Sequence, residues 1–193
     1  VLPLLSIAPL VGSKPSMVIL GSGIPNNFSI PRTYSASSAL TSDIATLAAQ
    51  KAITDADCDP ETIDYIIVAH NYGDVPSKGG TSDMVPSLAS RVKNKLGIKN
   101  PSCVAYDVLF GCPGWILGVT QADSFIKSGL ANKVLVIGAE ALSRVVDPHD
   151  RDSMIYSDGA GAVILEPSDT EEGILGQSTA TYAVEEAFFI YNE

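Results

Sequence analysis

The stretch AYDVLFGCPGWILGVTQADSFIKSG, residues 105–129, passes from an apolar run into a helical pattern. Pro113 suits the first position of that helix, where its missing N–H would have had no intrahelical partner. Lys127 stands in the last turn, and Gly129 ends the helix. Apolar side chains lie on several of its sides, which is typical of a helix covered by neighbours. The stretch therefore predicts a strand followed by a buried helix.

Other apolar runs along the chain also resemble strands. Together with the run already described, they occupy residues 17–24, 65–69, 104–110, 133–139 and 162–166. Most are continuous rather than alternating, as expected for strands covered on both faces. Helical patterns over residues 41–56 and 86–96 lie between several of them. This alternation predicts one α/β domain over residues 1–193, with a mostly parallel sheet and helices packed on both faces.

Composition limits the class of partner. The 193 residues carry a formal net charge of −10, which argues against nucleic acid or an anionic membrane surface as the main partner. The three cysteines show no paired spacing, so we expect a reducing, cytoplasmic environment rather than a disulfide framework. The apolar opening, residues 1–11, is too short to span a bilayer and lacks the basic leader of a signal peptide.

Cys112 lies where the predicted strand ends and the helix begins. In open α/β sheets the carboxyl ends of the strands bind ligands, and a helix N-terminus favours a thiolate over a thiol. The free N–H groups there could also hold a developing oxyanion. Free cysteines are often buried as small hydrophobes, so a nucleophile and a core residue remain the two interpretations of Cys112. Cys58, in a polar turn, and Cys103, at the start of a strand, are interpreted as structural.

The two histidines are the candidate bases for a reactive thiol. His70 follows an apolar run and could reach the same sheet edge, so a Cys112–His70 dyad is one hypothesis and a satisfied strand-end histidine is the other. His149 stands among aspartates and is interpreted as a solvated loop residue. The sequence contains no CxxC, HExxH or acidic calcium loop, and the glycines of residues 157–166 fit neither a P-loop nor a dinucleotide fingerprint. We expect no metal and no cofactor.

Two segments together resemble a known family. The stretch at 105–129 is followed by KVLVIGAEALSRVVDPHDRDSMIYSDGAGAVILE at 133–166. Their order and spacing resemble the β-ketoacyl-acyl-carrier-protein synthase III family of the thiolase superfamily. In that family a cysteine begins a buried helix, a DP-x-DR loop follows, and a DGAGA turn leads into a strand. The resemblance implies a thiolase-like α/β domain in which Cys112 is the catalytic nucleophile.

The resemblance also implies a reaction and its partners. Such condensing enzymes are acyltransferases of fatty-acid biosynthesis: the cysteine takes an acyl group from acyl-CoA, and malonyl-acyl carrier protein then decarboxylates and attacks the thioester. By position, Arg151 would contact the adenine end of CoA, with a salt bridge to neighbouring aspartates as its alternative. Trp115 matches an aromatic position near the active site, with core packing as its alternative. Val85 matches a residue that enters the partner subunit's acyl pocket, so the resemblance implies a homodimer.

Two departures from the family pattern qualify this expectation. Family members consist of two similar α/β halves, and the second half supplies a histidine and an asparagine that stabilise the enolate formed on decarboxylation. The chain ends at Glu193, so we expect an N-terminal half that needs a second half in the same or another chain. The segment at 30–40 is shorter than in relatives and offers only Arg32 and Tyr34 for the CoA adenine.

Three further functions stay open at this point. One is an acyl-CoA transferase that keeps the acyl-cysteine but performs no condensation. Another is an enzyme similar to hydroxymethylglutaryl-CoA synthase, in which the acyl-cysteine undergoes an aldol step. The third is a dimerisation half without turnover of its own. The first two functions form an acyl-cysteine, as a synthase III does, and only the third involves no acyl-cysteine.

Overall fold

The computed structural model describes residues 16–22, 39–76, 80–147, 149–169 and 173–188. Within them the main elements are β1 (Ser16–Ser22), α1 (Thr41–Asp55), β2 (Tyr65–His70), α2 (Leu88–Leu96), β3 (Val104–Leu109), α3 (Gly114–Lys127), β4 (Val134–Ala141) and β5 (Asp158–Ser168). Each predicted strand and helix is present, with ends that differ by a few residues. The apolar opening and the CoA-adenine candidates Arg32 and Tyr34 lie outside the described residues.

The strands form one sheet in the order β1-β5-β4-β2-β3. Strand β2 pairs in parallel with both β3 and β4, in agreement with the predicted mostly parallel sheet. Strand β5 is antiparallel to β4, and β1 is antiparallel to β5. Parallel neighbours need a long crossover connection, whereas antiparallel neighbours do not. The described residues between 142 and 157 form only short helical turns. Strand β5 therefore starts at the same end of the sheet at which β4 finishes.

Helices cover both faces of the sheet, as predicted. On one face α1 and α2 pack over a core to which β2 contributes Ile66 and Val68, whereas Ile67 faces α3 on the other side. This alternation follows from the two-residue period of a strand. The contact with α3 is close, because a Cβ on Gly118 would lie 2.9 Å from Val136 Cγ1. A glycine at this position therefore lets α3 lie directly on the sheet.

The outer side of α3 differs from the sequence expectation. Its buried residues include Val119, Ala122 and Ile126, which face the sheet, but Ile116 is 61% exposed. The prediction of a helix covered on all sides is thus wrong within the described residues, because the elements described there cover only one side of α3. No helix in the described ranges has both the length and the apolar character needed to cross a membrane.

Candidate active site

A cavity of about 340 Å³ opens at the carboxyl ends of β2 and β4. Its walls are formed by the ends of these two strands, the turn before α3, the first turn of α3 and the start of β5. Because β5 runs antiparallel to β4, its glycine-rich start meets the same edge. This is the edge at which α/β sheets bind ligands.

Cys112 lines this cavity and is exposed. Gly111 adopts a φ of +63°, a left-handed conformation that favours glycine, and its carbonyl accepts the N–H of Gly114 at 3.0 Å. This tight turn places the thiol immediately before α3, which begins at Gly114 rather than at Pro113. The core-residue interpretation does not fit the exposure of Cys112, whereas it fits Cys103, which is 2% exposed.

Trp115 forms a wall of the same cavity and also packs on the core. A Cβ on Gly138 would lie 3.3 Å from Trp115 Cβ, so the aromatic residue lies directly over the β4 backbone. Trp115 therefore both lines the cavity and packs on the core. The structure places Trp115 and Cys112 at the start of α3, in one cavity.

His70 is fully buried at the end of β2, and both of its ring nitrogens are occupied. Nδ1 accepts the N–H of Gly73 at 3.0 Å, which places the ring proton on Nε2. Nε2 then donates to Asp107 Oδ2 at 3.0 Å. Although His70 lines the cavity, it has no free nitrogen with which to accept the proton of Cys112. The geometry fits the satisfied strand-end histidine and not the dyad.

Asp107 connects this histidine to α2. Its Oδ2 accepts the N–H of Leu88 at 2.7 Å and its Oδ1 accepts the N–H of Ala89 at 2.8 Å, so the carboxylate lies at the N-terminus of α2. A carboxylate is stabilised there by the free N–H groups and by the helix dipole. Sequence reasoning missed this residue. The available signal was an acidic side chain in the middle of the apolar run 104–110.

Glu140 and Asn71 form a second polar pair at the cavity. Glu140 Oε2 accepts the backbone N–H of Asn71 at 2.6 Å and its side-chain Nδ2 at 2.9 Å. The other oxygen, Oε1, is buried and has no hydrogen-bond partner within the described part of the chain. Sequence reasoning missed both residues. Their signal is shared: each is a polar residue at the carboxyl end of a continuous apolar run.

An ionic cluster around the buried Asp74 holds the segment between β2 and α2. Asp74 accepts the backbone N–H and the hydroxyl of Ser42, both at 2.7 Å, at the start of α1. Arg91 donates to Asp74 at 2.8 Å and pairs with Asp83 at 2.7 Å. The hydrogen bond that Arg91 donates to the Asp83 carboxylate raises the pKa of Arg91; burial opposes this shift and Asp74 adds to it. The cluster fixes the ends of the segment that carries Val85.

Residues 106–183, which include Cys112, match the family model described as 3-oxoacyl-[acyl-carrier-protein (ACP)] synthase III. A solved 3-oxoacyl-[acyl-carrier-protein] synthase III from Aquifex aeolicus VF5 is 32% identical, with a TM-score of 0.65, over 81% of this chain and 55% of that chain. The family resemblance is confirmed. In the matched residues the chain is synthase III-like in both sequence and fold.

Two other solved structures are also similar to the chain. The synthase III of Pseudomonas aeruginosa PAO1 is 27% identical with a TM-score of 0.64, over 81% of this chain and 53% of that chain. A variant of OleA from Xanthomonas campestris, solved with bound lauric acid and lauroyl-CoA, is 25% identical with a TM-score of 0.52, over 65% of this chain and 40% of that chain. The chain thus spans about half the length of the synthases it matches.

The remaining residues expected from the synthase III resemblance lie away from the cavity wall. Arg151 is exposed in the turn Arg151–Ile155, within the matched family region but outside the cavity lining. Val85 is 86% exposed, before α2, and precedes the matched region. His149 is exposed and bonded to Asp147, as predicted for a loop residue. Of the four candidates, the structure brings together Cys112 and Trp115 and leaves Arg151 and Val85 apart.

Proposed function

We propose that this synthase III-like chain carries the acyl-accepting site of a condensing enzyme of fatty-acid initiation. The single observation that carries the proposal is the exposed Cys112 thiol, which lies in a cavity at the N-terminus of α3. A thiolate at that position attacks the thioester carbonyl of acyl-CoA, forming the Cys112 thioester. The CoA sulfur leaves with the bonding electron pair and takes up a proton. Free N–H groups in the first turn of α3 are suited to hold the oxyanion of this step.

Acyl-CoA is the proposed substrate class, used without a cofactor or metal. The OleA variant with bound lauroyl-CoA supports an acyl-CoA at this fold. Arg151, exposed beyond the cavity, is the proposed contact for the adenine end of CoA. Val85 is the proposed residue at the acyl pocket of a partner subunit, because its exposed apolar side chain is available to a second chain.

Condensation with malonyl-acyl carrier protein needs groups that stabilise an enolate. Among the described residues that line the cavity, His70 has both nitrogens occupied and Glu140 is an acceptor. Neither supplies a free donor for a developing negative charge. We therefore propose that a histidine and an asparagine come from a second α/β half, in the same or another chain.

A homodimer is the proposed assembly, in the cytoplasm. Strand β3 lies at the edge of the sheet, where an unpaired strand is open to association. Val104, Leu109 and Phe110 lie on or directly after this strand and are each between 45% and 55% exposed. Exposed apolar side chains at both ends of a strand that pairs on one side only, within the described residues, favour a protein interface.

The acyl-transfer step is tested by incubating the purified chain with acetyl-CoA and measuring its intact mass. We expect one acetyl adduct on Cys112, lost in Cys112→Ala and retained in the control Cys58→Ala. Labelling that persists in Cys112→Ala would make the nucleophile assignment wrong. No labelling of the wild type would favour the dimerisation half without turnover.

Condensation is tested separately, by decarboxylation of malonyl-acyl carrier protein with and without a polypeptide carrying the second half. We expect decarboxylation only in the combined sample, because the proposed histidine and asparagine are present only there. Acyl labelling without decarboxylation in either sample would favour simple transfer or an aldol step of the hydroxymethylglutaryl-CoA-synthase type.

A further inference from the structure

The Asn71 carboxamide has a defined orientation in the cavity. A carboxylate only accepts hydrogen bonds, so the bond from Nδ2 to Glu140 Oε2 requires the amide nitrogen to face Glu140. The carbonyl oxygen Oδ1 therefore faces the opposite way, and a Cβ on Gly111 would lie 4.0 Å from it. Asn71 thus directs a hydrogen-bond acceptor at the turn that carries Cys112.

Glu140 holds Asn71 in this orientation at a cost. Its Oε1 is buried without a partner in the described residues, and an unsatisfied buried carboxylate oxygen is destabilising. An apolar side chain at this position would avoid that cost. Both hydrogen bonds that Glu140 Oε2 accepts come from Asn71. The effect of Glu140 is therefore to fix the position of Asn71.

We propose that Asn71 Oδ1 accepts the amide N–H nearest the thioester of the acyl donor, and that Glu140 is the positioning residue that aims it. The inference rests on the proposed acyl transfer to Cys112. In a pantetheine thioester this amide lies only two methylenes from the sulfur. When the thioester carbonyl is at Cys112 Sγ, the amide N–H must therefore be near the same turn. Such a contact selects donors that carry an amide at that distance.

The test compares two small acyl donors with the full chain. One is the acetyl thioester of N-acetylcysteamine, which carries the amide. The other is the acetyl thioester of 2-mercaptoethyl acetate, in which an ester oxygen replaces the N–H. The measurement is the second-order rate of Cys112 acylation, followed by intact mass. Asn94→Ala is the matched control, because Asn94 is exposed on α2, away from the cavity.

We expect Asn71→Ala to lower the rate with the amide donor about tenfold, as for a lost hydrogen bond of about 1.4 kcal/mol, and to leave the ester donor within about twofold. Glu140→Ala should reproduce this selective loss, and Glu140→Gln, which keeps an acceptor for Asn71, should recover part of it. If Asn71 and Glu140 had only a structural role, their substitution would lower the acylation rate equally with both donors. Equal loss with both donors, or no loss with either, overturns the inference.

If the wild-type chain accepts no acyl group, the proposed function is refuted, but the contact between Asn71 and the pantetheine amide can still be tested. Pantetheine is then titrated into ¹⁵N-labelled chain while the side-chain amide signals of Asn71 are observed. Movement of these signals in the wild type and its loss in Glu140→Ala support the contact. Signals that stay in place at saturating pantetheine overturn it.

Discussion

His70 Nε2 lies 3.0 Å from Asp107 Oδ2, and the same carboxylate accepts the first two N–H groups of α2. One buried acid therefore joins the end of β2 to the start of α2. A histidine fixed in this way stabilises the segment between the two elements. It is not available as a base for Cys112, since its Nδ1 already accepts the N–H of Gly73.

Replacing His70 should consequently affect stability and not thiol chemistry. We expect His70→Ala to lower the free energy of unfolding by about 1–3 kcal/mol, because Asp107 loses one of its three donors and the Gly73 N–H loses its acceptor. The pH profile of Cys112 alkylation should stay unchanged. Urea denaturation and iodoacetamide kinetics check the two parts. A profile displaced to higher pH in the variant would identify His70 as the base after all.

The three thiols should differ in their reactivity towards iodoacetamide. Burial raises the pKa of the Cys103 thiol, which is 2% exposed, so it should react last. Cys112 is exposed at a helix N-terminus and should react first. Peptide mapping after timed alkylation of the folded chain gives the order, with urea-unfolded chain as the control. Equal rates at all three positions in the folded chain would argue against activation at the helix terminus.

The Asp43 carboxylate should make the stability of the chain pH-dependent. Partial burial raises its pKa, but the hydrogen bonds from Lys95 and from the Leu40 N–H outweigh burial, and the net pKa is below 3.8. A lowered folded pKa means that this contribution is present above the unfolded value and is lost as pH falls through the folded one. We expect Asp43→Asn to cost about 1 kcal/mol near neutral pH.

The measurement is urea denaturation of the wild type and of Asp43→Asn across acid and neutral pH. Their difference should shrink as pH falls below about 3.8, the unperturbed value for an aspartate. Asp55→Asn is the control, because Asp55 is exposed at the other end of α1. A difference that is the same at every pH would mean that the Asp43 charge contributes nothing.

The proposed dimer should depend on the edge strand β3. In a two-fold interface each substitution occurs twice, so Val104→Lys would bring two like charges into an apolar contact. We expect the dimer dissociation constant to rise about tenfold or more, measured by sedimentation velocity. Leu130→Lys is the control, because Leu130 is also an exposed apolar residue and lies away from β3. A monomeric wild type, or a dimer insensitive to Val104→Lys, would contradict the proposal.

Local patterns were sufficient to predict the elements and the place of the thiol. Continuous apolar runs gave the five strands, Gly97 ends α2 with a φ of +75°, and Cys112 was predicted at a strand-to-helix junction. These features depend on side chains within one or two turns of each other in the chain. Their physical causes are burial, capping and backbone conformation, which depend on the local sequence.

Only the tertiary structure decided which side chains meet. Asn71 and Glu140 are 69 residues apart, and His70 and Asp107 are 37 apart, so their contacts exist only because β2 pairs with both β4 and β3. The sequence also did not predict that β5 is antiparallel to β4, because a continuous apolar run does not indicate the direction of a strand. Sequence alone determined a cysteine at a strand-to-helix junction in an α/β chain, while strand pairing decided the polar partners around it.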